Sequence, residues 1–102
     1  MTNEEKLQKI ARHYGYESQS RQCIEEMAEL TQAISKYWRA SADGQMKQRT
    51  EMSKSEAYDN IMEEIADVQI MLWQLEFLLG MDESKLFRMI DKKLDRQIGG
   101  IK

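Results

Sequence analysis

Along this chain apolar residues return every three or four positions, the period of helices that bury one face. Asn3 is placed to cap a short first helix running to about His13, with Leu7, Ile10 and Ala11 on one side, and Tyr14-Gly15-Tyr16 breaks it. A second helix is predicted from about Ser18 or Ser20 to Ala40, with Ile24, Met27, Thr31, Ile34 and Trp38 as its apolar stripe. Residues 41–53 contain Gly44, many polar side chains and no periodicity, so they are expected to form a loop. That loop exceeds the usual helix connection in a bundle, about 2–8 residues. A third helix is predicted from near Ser55 to a C-cap at Gly80. A fourth begins at Asp82-x-x-Lys85, carries Leu86, Phe87, Ile90 and Leu94, and frays at Gly99-Gly100.

The third helix carries two apolar stripes. One is a seam of Ile61, Ile65, Val68, Leu72, Leu75 and Leu79, and the other follows Met62, Ala66, Ile70, Trp73 and Phe77. Between Ile70 and Leu79 only Gln74 and Glu76 are polar. A helix apolar on every side must be surrounded, and one small chain has too few helices to do it. The expected fold is therefore all-α: a single domain over residues 1–102, a four-helix bundle-like subunit with two long central antiparallel helices. It is expected to assemble as a homodimer or homotetramer with the third helix near a two-fold axis.

Composition narrows the setting. The chain has 102 residues, no proline and one cysteine, Cys23, so an intrachain disulfide or a cysteine-based zinc site is excluded. Cys23 reads as a small buried residue. A net charge of −3 argues against binding a nucleic-acid polymer, which depends on a basic surface. Met1-Thr2-Asn3-Glu4-Glu5 does not resemble a signal peptide, and no apolar run reaches the ~20 residues of a membrane span. A cytoplasmic protein with no membrane partner is expected.

Two acidic clusters of nearly the same shape stand out: Ile24-Glu25-Glu26-Met27-Ala28-Glu29-Leu30 and Met62-Glu63-Glu64-Ile65-Ala66-Asp67-Val68. In each, two carboxylates lie three residues apart, Glu26 with Glu29 and Glu64 with Asp67, which stacks them on one helix face. Solvated acidic pairs on helices are ordinary. Here, however, no cation sits one turn away, the strips run into Ala33 and Met71, and the arrangement occurs twice. Packed antiparallel, the two helices would gather four carboxylates that repel one another and raise each other's pKa unless a cation lies among them. Hard oxygen ligands without histidine favour Mg²⁺, or Mn²⁺. Glu25 and Glu63, roughly 100° round their helices, would face away.

In this order and context, Glu26-x-x-Glu29-Leu30 followed by Glu63-Glu64-x-x-Asp67-Val68 resembles the MazG-type nucleoside triphosphate pyrophosphohydrolases, over about residues 18–98. These belong to the all-α NTP pyrophosphatase superfamily. The resemblance implies Mg²⁺-dependent hydrolysis of a nucleoside triphosphate at the α-phosphorus, releasing a monophosphate and pyrophosphate. It makes Glu26, Glu29, Glu64 and Asp67 both metal ligands and catalytic residues, with Glu26 or Glu29 accepting the proton of the attacking water. Asp91-Lys92-Lys93-Leu94-Asp95-Arg96 is similar to the basic element of the family's last helix, so Lys93 and Arg96 would contact substrate phosphates. Phosphoribosyl-ATP enzymes of the superfamily resemble a pattern with lysine where this chain has Gln22, so the likeness points away from that branch.

Tyr37 and Trp38, at the end of the second helix, could stack on a nucleobase; Trp38 is the candidate base contact. His13, the sole histidine, reads as structural or solvated. A di-iron carboxylate bundle would need Glu-x-x-His on two helices, which this chain lacks. The other alternative is a non-enzymatic helical interaction module dimerising through its third helix.

Overall fold

The computed structural model describes residues 1–41 and 52–101, and among these it forms helices and no strand. Three helices follow in order: α1, Asn3–Ser41; α2, Lys54–Leu78; and α3, Glu83–Gly99. The first two predicted helices are joined as α1, and the break falls where it was expected. Gly15 has φ 82° and ψ 171°, a conformation open to glycine and strained for other residues. The loop expected around Gly44 falls mostly on residues 42–51, outside the described residues.

The caps explain where the helices start. α1 is capped by Thr2 rather than Asn3: Thr2 Oγ1 accepts from the Glu5 amide at 3.1 Å, and Glu5 Oε1 accepts from the Thr2 amide at 2.9 Å. This reciprocal pair satisfies two donors that the first turn leaves free. Ser53 Oγ accepts from the Glu56 amide at 3.1 Å, and Asp82 Oδ1 from the Lys85 amide at 3.2 Å. Gly80, with φ 61°, closes the end of α2 as expected.

α1 and α2 pack antiparallel. Their facing positions are Gln19, Cys23, Glu26, Leu30, Ala33, Tyr37 and Ala40 on α1, and Ala57, Ile61, Glu64, Val68, Met71, Leu75 and Leu78 on α2; all are buried or half-buried. Spacings of four and three alternate along both sets, the 3.5-residue repeat of a coiled-coil seam. Small residues such as Ala33, Ala40 and Ala57 let the backbones approach. Cys23 is buried here, and loss of hydration pushes its thiol pKa up.

This seam differs from the one expected. Ile24, Met27, Ile34 and Trp38 on α1, and Ile65, Leu72 and Leu79 on α2, are exposed. The chain closes on its smaller, more polar faces, where the acidic clusters lie, and leaves its richest apolar stripes outside. The four-helix subunit is also not completed within one chain. Among the described residues α3 approaches neither α1 nor α2, and the radius of gyration is 17.5 Å, against about 13 Å for a compact domain of this size. The amino-terminal part of α1 does return to α2, with the Arg12 guanidinium 5.2 Å above the Phe77 ring.

Candidate metal centre

Gln19 Nε2 donates to Gln74 Oε1 at 2.7 Å and sets the register of the seam. Seven residues onward in α1 and seven back in α2, two helical turns away, stand Glu26 and Asp67. The two acidic motifs therefore meet. Oxygens of Glu26, Glu64 and Asp67 all lie within 4.8 Å of one another. Glu26 and Glu64 are half-buried in the seam, Asp67 and Glu29 lie on its exposed side, and Glu25 and Glu63 face solvent as expected.

Glu29 stands outside this close trio but feels it. The negative charge of Glu26 is the first cause holding the Glu29 carboxyl above its ordinary value, with smaller contributions from burial and from Glu64. Three of the four paired carboxylates thus come together, with Glu29 near enough to Glu26 to feel its charge.

The donor set fits a divalent cation. Glu26 Oε2 and Glu64 Oε2 are shielded from solvent and, among the described residues, have no hydrogen-bond partner. An unpaired buried carboxylate oxygen is costly, and two facing the same acidic patch ask for positive charge. Among the described residues no lysine or arginine forms a salt bridge to the cluster; the ion pair that does occur joins Arg21 to Glu17 at 3.1 Å on the surface. Three convergent carboxylates with no histidine among them are the hard oxygen donors that suit Mg²⁺ or Mn²⁺.

One contributor escaped the sequence reading. Gln22 Nε2 donates to Glu26 Oε1 at 2.8 Å, leaving Oε2 to face the cluster. The i,i+4 spacing of Gln22 and Glu26 was the available clue.

The candidate substrate contacts are not gathered here. Trp38 is 72% exposed. It lies about 18 Å along α1 from Glu26 and on a different side of the helix, given about 1.5 Å and 100° per residue. Tyr37, half-buried, shares the face of Glu26 instead. Lys93 and Arg96 are exposed on α3, which stays away from α1 and α2, so one chain does not bring them to the carboxylates. His13 is exposed, its ring edge-on to Tyr14 at 4.7 Å.

No protein-family model, curated protein or solved structure matches the chain in comparison.

Proposed function

We propose that the acidic patch holds a divalent cation, Mg²⁺ or Mn²⁺, and that the protein hydrolyses nucleoside triphosphates at the α-phosphorus to a monophosphate and pyrophosphate. The observation that supports this reading is the pair of shielded oxygens, Glu26 Oε2 and Glu64 Oε2, unpartnered among the described residues, on carboxylates that converge with Asp67 from two helices. The motif resemblance to MazG-type enzymes supplies the reaction. Glu26, Glu64 and Asp67 would hold the cation, and Gln22 orients Glu26. When bound, the cation would neutralise triphosphate charge and lower the pKa of the attacking water. Glu29, outside the trio, would then take that water's proton. Lys93 and Arg96 would reach phosphates only from the α3 of another copy, which fits assembly as a homodimer or homotetramer through the exposed stripes.

A second reading, a non-enzymatic helical interaction module, is favoured by those same exposed apolar stripes on all three helices. A panel of common and modified nucleoside triphosphates separates the two. The hydrolase reading expects pyrophosphate and monophosphate from at least one substrate with Mg²⁺, none in excess chelator, and none from Glu29→Gln or Glu64→Gln. No release from any substrate leaves the interaction module.

A further inference from the structure

Among the described residues α3 is the most amphipathic helix, and neither other helix covers it. Leu86, Ile90, Leu94 and Ile98 follow one another at i,i+4 and span about 120° of the helix surface, with Phe87 inside that stripe. Phe87 and Ile98 are 65% and 68% exposed. An apolar stripe of this width is how a helix packs against a core, yet α3 approaches neither α1 nor α2.

A matching space lies along α2. Between the amino-terminal part of α1 and the carboxy-terminal half of α2 runs a groove of about 1100 Å³, walled by Leu7, Ile10, Ile70, Trp73 and Phe77 and ending at Met81, beside the start of α3. We infer that this groove receives α3 of a second copy, so that two chains exchange their last helices.

Length and charge both favour that occupant. The groove follows α2 from Ala66 to Phe77, about 17 Å, and continues past its end to Met81, while α3 is about 25 Å long. Its rim carries Glu4 and Glu76 against Lys6, with Glu83 from the first turn of the chain's own α3 at its end, whereas α3 as a whole has five basic side chains against three acidic ones. Lys93 borders the apolar stripe, within about 20° of Leu86 round the helix. Docking the stripe therefore sets that cation beside the acidic rim. The connection explains the exchange. Gly80 at φ 61° and the hydrogen bonds from the Gly80 and Met81 amides to the Phe77 and Glu76 carbonyls turn the chain outward. α3 then leaves its own groove open. Mutual exchange closes as a two-fold dimer, whose interface repeats itself on both copies.

Site-directed cross-linking tests this directly, and pyrophosphate release enters neither arm, so the nucleotide reading can fail independently. In a Cys23→Ala background, protein carrying Ile70→Cys is refolded together with protein carrying Ile90→Cys, and separately with protein carrying Leu94→Cys, and each mixture is oxidised. The expected result is a disulfide-linked heterodimer in at least one mixture. Light scattering of the unsubstituted chain should give a dimer or a multiple of one. The double variant Ile90→Asp/Leu94→Asp should halve that mass while keeping its helical circular dichroism, because both positions are solvent-exposed in the single chain. Absence of a linked heterodimer in both mixtures overturns the exchange. So does a disulfide within one chain carrying both cysteines, without linkage between chains, or a double-aspartate variant that keeps the unsubstituted mass.

Discussion

Gln19 and Gln74 face each other inside the α1–α2 seam, joined by a 2.7 Å hydrogen bond while only 6% and 2% exposed. Two long helices with a repeating seam can slide by a heptad, and a buried polar pair penalises every register but one. The same register places Glu26 opposite Asp67. Structural specification and the candidate chemistry thus rest on one helix pairing.

Replacing either glutamine alone should leave the other amide buried without its partner. Gln19→Leu or Gln74→Leu is expected to lose about 1–3 kcal/mol of stability, and the double variant should recover part of it. Urea denaturation of the four proteins gives the coupling. Strict additivity would contradict the pairing.

Gly15→Ala probes the bend in α1. Nothing lies within 4 Å of the added Cβ, so there is no steric clash with neighbours, but φ 82° and ψ 171° suit only glycine. The substitution should cost about 1–3 kcal/mol through backbone strain alone. Release of the amino-terminal segment would also separate Arg12 from Phe77 and alter the fluorescence of the nearby Trp73. An unchanged unfolding midpoint would contradict this account of the bend.

Much of this was legible in the sequence. The spacing of Glu26 with Glu29 and Glu64 with Asp67 pointed to one acidic patch, and Asp82, Gly15 and Gly80 stand where start, break and stop signals put them, whereas Thr2 takes the capping place expected of Asn3 and Ser53 caps a helix expected to start near Ser55. The seam was not legible, because a hydrophobic stripe marks a face that wants burial without saying what buries it. Ile24, Ile34, Ile65 and Leu72 outrank Gln19, Cys23, Glu26 and Ala33 in hydrophobicity, yet the chain pairs on the latter. The small buried side chains Ala33, Ala40 and Ala57 and the Gln19–Gln74 bond mark that face, and both depend on the partner helix. Trp38 illustrates the same limit: helix-end position suggested a base contact, whereas the phase of the helix turns it from Glu26.

The Glu29 carboxyl carries a pH dependence. Its pKa in the folded protein is raised above the ordinary 4.5 by Glu26 first, so the native state keeps this proton to higher pH than the unfolded chain does. Its contribution to stability is then fully present below about pH 4.5 and is lost as pH rises through the raised value. Without divalent cation, Tm should show that decline, on top of other groups' effects, and Glu29→Gln should remove it. A decline of the same size in Glu29→Gln would contradict the assignment.

Removing one charge from the patch should separate stability from cation response. Glu64→Gln is expected to raise the Tm of the chelator-treated protein, since repulsion falls, and to blunt the further rise produced by Mg²⁺. Thermal unfolding with chelator and with millimolar Mg²⁺ checks both. A variant less stable than the parent in chelator, yet equally stabilised by Mg²⁺, would show that Glu64 serves packing alone.

Direct binding of Mn²⁺, followed by the loss of its free-ion electron paramagnetic resonance signal, tests the metal centre itself. The unsubstituted chain should take up Mn²⁺, competing Mg²⁺ should displace it, and Glu26→Gln or Glu64→Gln should weaken it by roughly tenfold or more. Lys93→Ala, remote on α3, should bind as the parent does. A chain that leaves millimolar Mn²⁺ free, or binds it equally well without Glu26 and Glu64, would contradict the account.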